Sequence, residues 1–238
     1  MSATFVRPQD LTQTQRAAAH DRACADPATR ITRSLDGYGI VAGPFFVVVS
    51  LAQAVTRQGF DLGRNAWSQL ALGDLGWVQV ANFLLTGAMV IAFSLGLGRT
   101  LTSGTGRRAV PLLVRVAGAG IVLAGIFRAD AGAGFPVGMP EPAVPTLHGT
   151  LHLVTSGLAF VALASTAFVM ARRYRQEGRR GRALWSVVAA VALLAGFGTA
   201  ASGSSAGVVV FTVGILTVLT WLTTLGVDAY SRATYAHA

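Results

Sequence analysis

Residues 146–171 read TLHGTLHLVTSGLAFVALASTAFVMA, and this stretch decides the class of fold. It carries no Asp, Glu, Lys or Arg, and it is longer than the roughly 20 residues that a helix needs to cross a membrane. Similar apolar runs occupy much of the remaining chain, at about 38–55, 77–97, 110–127, 184–201 and 207–227. The pattern predicts an all-α, polytopic bundle of six transmembrane helices.

The composition supports a membrane protein. The chain has 238 residues, of which 53% are hydrophobic and 12% charged, and its mean hydropathy is +0.56. The net charge of +9 would suit nucleic acid, but all 19 basic residues are arginines that lie mainly at the ends of the apolar runs. That distribution indicates membrane topology, so no nucleic acid partner is expected. Cys24 is the single cysteine, which excludes an internal disulfide.

The arginines also predict the orientation. They crowd the N-terminal tail and the segments 99–108 and 172–182, whereas the opposite connections carry only Arg57, Arg64 and Arg128. Because cytoplasmic loops are enriched in basic residues, both termini are predicted in the cytoplasm. The expected organisation is a disordered cytoplasmic tail (1–34), a six-helix transmembrane domain (35–228) and a cytoplasmic C-terminal tail (229–238).

Two histidines begin the fourth run. His148 and His152 are four residues apart, so a helix places them on one face, and Ser156 extends that face by a turn. The spacing resembles the ligand pair of HExxH zinc sites, although Gly149 stands where those sites carry glutamate. Asp130, in the preceding connection, is expected on the same side of the membrane.

These residues suggest a hydrolytic metal site. Zinc or another divalent metal would be held by His148, His152 and Asp130, with a fourth position open for water. Asp74 would act as base or orienter. Further polar side chains expected to line the site are Ser68, Gln79, Asn82 and Ser156. Haem is not expected, because bis-histidine ligation needs histidines on two facing helices and these two share one.

A second interpretation needs no ligand. Histidines at the mouth of a membrane helix commonly hydrogen-bond to loop carbonyls, and Asp130 could pair with Arg128 or cap a loop. Under that interpretation the Asp and His residues only stabilise the helix mouths.

Two motifs resemble a known bacterial membrane family. The first is Trp67-Ser68-Gln69-Leu70-Ala71-Leu72-Gly73-Asp74-Leu75-Gly76-Trp77-Val78-Gln79, continuing to Asn82-Phe83 and Thr86-Gly87. The second is Ile126-Phe127-Arg128-Ala129-Asp130, followed by Gly134-Phe135-Pro136-Val137-Gly138 and His148-Gly149-Thr150-Leu151-His152. Over residues 38–227 the chain resembles the six-helix family known as domain of unknown function 998. The resemblance implies a multi-pass protein of the bacterial plasma membrane and implies no activity.

A looser similarity links the residues to membrane hydrolases with a Ser/Asp/HxxxH zinc site, such as the alkaline ceramidases and progestin-adipoQ-type receptors. Here the histidine pair begins the fourth of six runs instead of the last of seven, and no third histidine is available for the site.

Three functions therefore stay open. The leading hypothesis is an outward-facing polar site that hydrolyses a lipid-like substrate with a metal. The second is a non-enzymatic binding or accessory protein, and the third an isoprenoid cyclase with Asp74 or Asp130 as proton donor. The expected partners are membrane lipids and a lipid-like or isoprenoid small molecule.

Overall fold

The computed structural model describes residues 12–13, 26–201 and 206–235. Within these ranges the chain is helical, apart from connecting loops and one isolated bridge between Gly132 and Phe135. Among the described residues, six helices are long and apolar enough to cross a membrane. They are α1 (Pro27–Thr56), α2 (Gly76–Thr100), α3 (Ala109–Ile126), α4 (Leu147–Gln176), α5 (Arg180–Ala201) and α6 (Gly207–Tyr235). The predicted all-α bundle of six spanning helices is confirmed.

The ends of α1 and α6 differ most from the predicted boundaries. Asp26 caps α1 by accepting hydrogen bonds from the amides of Ala28 and Thr29, and Pro27 fits the first turn, where no amide donor is needed. The helix therefore begins within the segment predicted as a disordered tail. At the other end, α6 continues beyond the predicted boundary at residue 228. Residues 1–11, 14–25, 202–205 and 236–238 lie outside the described residues, so the structure does not test the predicted tails there.

The helices form a closed ring in chain order. Each helix packs on the next, and α6 closes the ring against α1. Small residues permit some of these approaches: a Cβ on Gly120 of α3 would lie 2.8 Å from the carbonyl oxygen of Thr155 in α4. Glycine at position 120 therefore permits the close approach of α3 and α4.

The two ends of the ring are built differently. At the arginine end, which holds the connections 101–108 and 177–179, buried side chains fill the interior, among them Phe93, Met170 and Trp221. At the histidine end, which holds the connections 57–75 and 127–146, the interior is hollow. Any site inside the ring therefore lies at the histidine end.

Candidate functional site

A cavity of about 730 Å³ lies inside the ring at the histidine end. All six helices contribute to its wall, and the connections 57–75 and 127–146 cover its mouth. The polar lining includes Arg64, Ser68, Gln69, Thr86, Asp130, Thr150, His152, Ser156 and Thr212. Most other lining side chains are apolar. The cavity is thus apolar in its walls and carries polar groups around its mouth and along α4.

Three aromatic rings join the helices of one wall. Phe160 of α4 lies 5.2 Å from Phe197 of α5 and 5.5 Å from Phe211 of α6, both with edge-to-face geometry, measured between ring centroids. All three rings line the cavity. Such pairs contribute about 0.5–1.5 kcal/mol each beyond the area that they bury. The wall is therefore held by direct ring contacts and needs no ligand to support it.

His152 is the buried histidine of the predicted pair. Its side chain is 9% exposed, and Nδ1 lies 2.8 Å from the carbonyl oxygens of both Ala124 and Phe127. Because carbonyl oxygens only accept hydrogen bonds, Nδ1 carries the proton and donates it to them. In the tautomer with its proton on Nδ1, Nε2 is an acceptor, and the Ser156 hydroxyl, 3.4 Å away, donates to it. The edge of this ring also meets Phe83, at 6.2 Å between centroids.

Asp130 holds the start of α4. Its carboxylate accepts hydrogen bonds from the backbone amide of Thr146, at 3.0 Å, and from the Thr146 hydroxyl. Thr146 in turn caps the helix by accepting from the amide of Gly149, at 3.0 Å. A negative charge is favourable here, because the N-terminus of a helix carries a partial positive charge. A Cβ at position 149 would overlap the Asp130 carboxylate, so glycine is the residue that fits.

The predicted metal ligands do not converge. His148 is exposed and packs edge-on against Phe127, whereas His152 donates its Nδ1 proton to backbone and Asp130 binds Thr146. Within residues 12–13, 26–201 and 206–235, no three His, Cys, Asp or Glu side chains lie close enough to hold a metal ion. The periodicity of α4 places both histidines on one face, but His148 is in the first turn, outside the enclosed part of the ring. The geometry gives the zinc hypothesis no support.

Asp74 lies outside the cavity lining. It is exposed in the loop before α2 and is close enough to Arg57 to interact with it electrostatically. Burial lowers the pKa of the Arg57 guanidinium, and the charge of Asp74 partly offsets that effect. Arg57 also donates to the carbonyl oxygens of Leu70, at 3.2 Å, and Leu72, at 2.6 Å. Asp74 is therefore part of the support of this loop.

Gln79 and Asn82 form a buried network between α1 and α2. Gln53 donates to Oε1 of Gln79 at 2.7 Å, and Gln79 donates to the Ser50 hydroxyl at 3.0 Å. Asn82 donates to the carbonyl oxygen of Phe46 and to Ser50, both at 3.1 Å. Both side chains are almost fully buried and are not among the residues that line the cavity. They bond across helices behind its wall.

Sequence reasoning missed part of the site. Gln69 donates to the carbonyl oxygens of Asp130 and Gly132, both at 3.3 Å, and so joins the two loops that cover the mouth. Arg64 brings an exposed cation to the lining. Nothing in the sequence indicates these loop contacts. Phe160 could have been found, because it continues the i, i+4 series of His152 and Ser156 on α4.

The comparisons with known proteins agree with the resemblance in the two motifs. The model of the family described as "Protein of unknown function (DUF998)" matches residues 40–228, which cover all but the ends of the bundle. No curated protein and no solved structure matches the chain.

Proposed function

Since the chain belongs to the DUF998 family, whose description names no activity, we propose from the geometry of the cavity that the protein binds a lipid-like amphiphile there. The hydrocarbon part of the ligand lies between α4, α5 and α6, and its polar end lies at the mouth. The primary proposal is that the cavity binds this molecule. If the protein is an enzyme, the reaction that we propose is hydrolysis of the bound molecule.

The observation that carries this proposal is that the cavity lining has an apolar part, in its walls, and a polar part, at its mouth. Its volume of about 730 Å³ falls within the range of roughly 300–1,000 Å³ typical of ligand pockets. The aromatic wall of Phe160, Phe197 and Phe211 suits an alkyl or isoprenoid chain, because it offers apolar contact. Polar and charged side chains, including Arg64 and Ser156, suit a small head group.

The charges at the mouth favour an anionic or neutral head group. Asp130 is engaged with the start of α4, so its charge is balanced by the helix terminus and by Thr146. Arg64 is exposed on the lining and would pair with a ligand carboxylate or phosphate. Both oxygens of the Asp130 carboxylate accept hydrogen bonds from Thr146, so the geometry does not favour Asp130 as the proton donor that an isoprenoid cyclase would need.

A photoreactive ligand tests the proposal. A fatty acid with a diazirine in its chain, added to the purified protein in lipid nanodiscs, should crosslink to the aromatic wall. Thr212→Trp places a large ring in the cavity and should reduce that crosslinking severalfold. The matched control is Thr220→Trp, two turns further along α6, where the threonine is exposed and does not line the cavity.

Two results would contradict binding in the cavity. One is crosslinking confined to lipid-facing side chains such as Val213 and Leu216. The other is crosslinking at Phe160 and Phe211 that Thr212→Trp leaves unchanged. Mass spectrometry of the crosslinked peptides distinguishes these results.

A further inference from the structure

We propose that Ser156 and His152 form a nucleophile–base pair that cleaves an ester bond in the bound amphiphile. This inference rests on the proposed function, because it uses the same cavity and the same class of ligand. It differs from the metal-dependent hypothesis, because a side-chain hydroxyl attacks in place of a metal-bound water.

The first argument is the contact between the two side chains. Ser156 follows His152 by one helical turn, both side chains line the cavity, and Oγ lies 3.4 Å from Nε2. A serine hydroxyl is a weak nucleophile unless a base removes its proton. Contacts of this kind are often long in the absence of a substrate and shorten when one binds.

The second argument is the state of the imidazole. The carbonyl oxygens of Ala124 and Phe127 fix the proton on Nδ1, which directs the lone pair of Nε2 towards Ser156. A buried aspartate has this orienting role in a Ser-His-Asp triad. Here the acceptors lie at the C-terminal end of α3, where the helix dipole carries a partial negative charge. That end would stabilise the imidazolium formed when His152 takes the proton.

The third argument is the position of the pair between the polar and apolar parts of the cavity. Thr150 lies towards the mouth, whereas Phe160 lies one turn further along α4 in the aromatic wall. An amphiphile whose chain contacts Phe160 would bring the first polar group after its chain close to Ser156. In an acyl ester that polar group is the ester carbonyl, whose carbon is the atom that a nucleophile attacks. The substrate class inferred is therefore a long-chain carboxylic ester.

The reaction needs no further reactant except water. Ser156 Oγ forms a bond to the carbonyl carbon while its proton moves to Nε2 of His152. The ester C–O bond then breaks, and the departing alkoxide takes that proton and leaves as an alcohol. Water next attacks the acyl-serine and gives a proton to Nε2. The acyl–Oγ bond breaks, Oγ regains the proton, and a carboxylic acid is released.

A long-chain alkyl fluorophosphonate tests the pair without knowledge of the natural substrate, because it modifies only activated serines. In the full-length protein in nanodiscs, the adduct should form at Ser156 and be absent in Ser156→Ala. His152→Gln keeps a side-chain N–H for the α3 carbonyls but provides no base, so labelling should slow by roughly 100-fold or more. Ser231→Ala, which alters an exposed serine of α6 that does not line the cavity, should label like the wild type.

Crosslinking of the diazirine fatty acid in the same preparations separates the two levels of the proposal. A cooperative thermal unfolding transition of Ser156→Ala and of His152→Gln shows that these variants are folded. Two results would overturn the nucleophile–base pair and leave the binding site standing, provided that the wild type crosslinks in the cavity. One is that the fluorophosphonate does not label Ser156 in the wild type, and the other is that it labels His152→Gln as fast as the wild type. Wild-type protein that fails to crosslink in the cavity would overturn the binding site and the pair together.

Discussion

At the scale of single residues, the histidine end depends on hydrogen bonds that join a side chain to a helix terminus. Asp130 binds Thr146 at the start of α4, and His152 binds carbonyl oxygens at the end of α3. These two contacts lie on either side of the connection 127–146. Each satisfies groups that a helix end leaves without an intrahelical partner. The connection is therefore fixed by the same residues that line the cavity.

Gly149 offers a test of this arrangement. We expect Gly149→Ala to lower the free energy of unfolding by about 1–3 kcal/mol, because the added methyl group displaces the Asp130 carboxylate. Thermal unfolding in detergent, followed by the fluorescence of the tryptophans, measures the effect.

The control for this substitution lies on the same helix. A Cβ on Gly157 would lie at an ordinary van der Waals distance of 3.5 Å from a ring carbon of Phe197, so Gly157→Ala should be neutral or stabilising by up to about 1 kcal/mol. Equal destabilisation by both substitutions would contradict the role assigned to Gly149.

The residue scale also shows the limits of sequence reasoning. Helical periodicity predicted that His148, His152 and Ser156 share a face, but not that His148 is exposed while His152 is enclosed. That difference depends on how far α3 extends beside α4. For Gln79 and Asn82, the partners Ser50 and Gln53 lie on another helix, about 30 residues away in sequence, and no local pattern indicates them.

At the scale of elements, the arginine end is held by an ion-pair cluster that joins α6 to the connection between α4 and α5. Asp228 accepts from Arg179 at 2.6 Å, and Arg232 pairs with both Asp228 and Glu177. Arg173 also pairs with Glu177, at 2.8 Å. The sequence predicted a crowd of cytoplasmic arginines here, and the structure gives several of them acidic partners. They bind protein groups in addition to any effect that they have on topology.

Glu177 should make stability at this end depend on pH. Burial raises its pKa, but its hydrogen bond with Arg232 and the charges of Arg232 and Arg173 outweigh burial, so the net pKa lies below its usual 4.5. A depressed carboxylate pKa contributes stability that is present above the unfolded value and is lost as the pH falls through the folded value.

We therefore expect Glu177→Gln to be less stable than the wild type at neutral pH and to approach it as the pH falls below the folded pKa of Glu177. Melting temperatures measured from about pH 7 down to about pH 3 show this convergence. Glu141→Gln, which alters an exposed glutamate at the histidine end, should show a much smaller difference. A difference in melting temperature between Glu177→Gln and the wild type that stays constant with pH would contradict the lowered pKa of Glu177.

At the scale of the whole molecule, the orientation in the membrane is the prediction that matters most, because it decides which side of the membrane the cavity faces. The antiparallel helices place the connections 57–75 and 127–146 at one end. The distribution of arginines predicts that this end faces outwards.

Cysteine labelling tests this orientation. Because Cys24 is the single cysteine, Cys24→Ser gives a background without thiols. On that background we expect Val144→Cys, at an exposed position of the histidine end, to react with a membrane-impermeant maleimide in intact cells. Thr102→Cys, at an exposed position of the arginine end, should react only after the membrane is permeabilised. The reverse pattern would show that the cavity opens to the cytoplasm.

The number and approximate bounds of the helices could be predicted because each crossing needs its own long apolar run, and residues 146–171 show such a run without a break. The cavity could not be predicted in this way. Its existence depends on side chains such as Phe93 and Trp221 filling the interior at one end while the other end stays hollow. In α2 and in α6, apolar residues are spread along most of the helix, so hydropathy does not distinguish the filled end of the ring from the hollow end.

The closure of the ring by α6 against α1 also bears on how the protein is made. Helices that pack on their neighbours in sequence can associate as they emerge during synthesis. One side of α1 packs on α2, but its other side is covered only after α6, the last helix, has been inserted. Phe211, Thr212 and Ile215 of that last helix complete the cavity wall. A chain halted before α6 would leave the polar side chains on α4 open to the bilayer. The amphiphile would therefore meet a finished binding site only after the whole chain has been inserted.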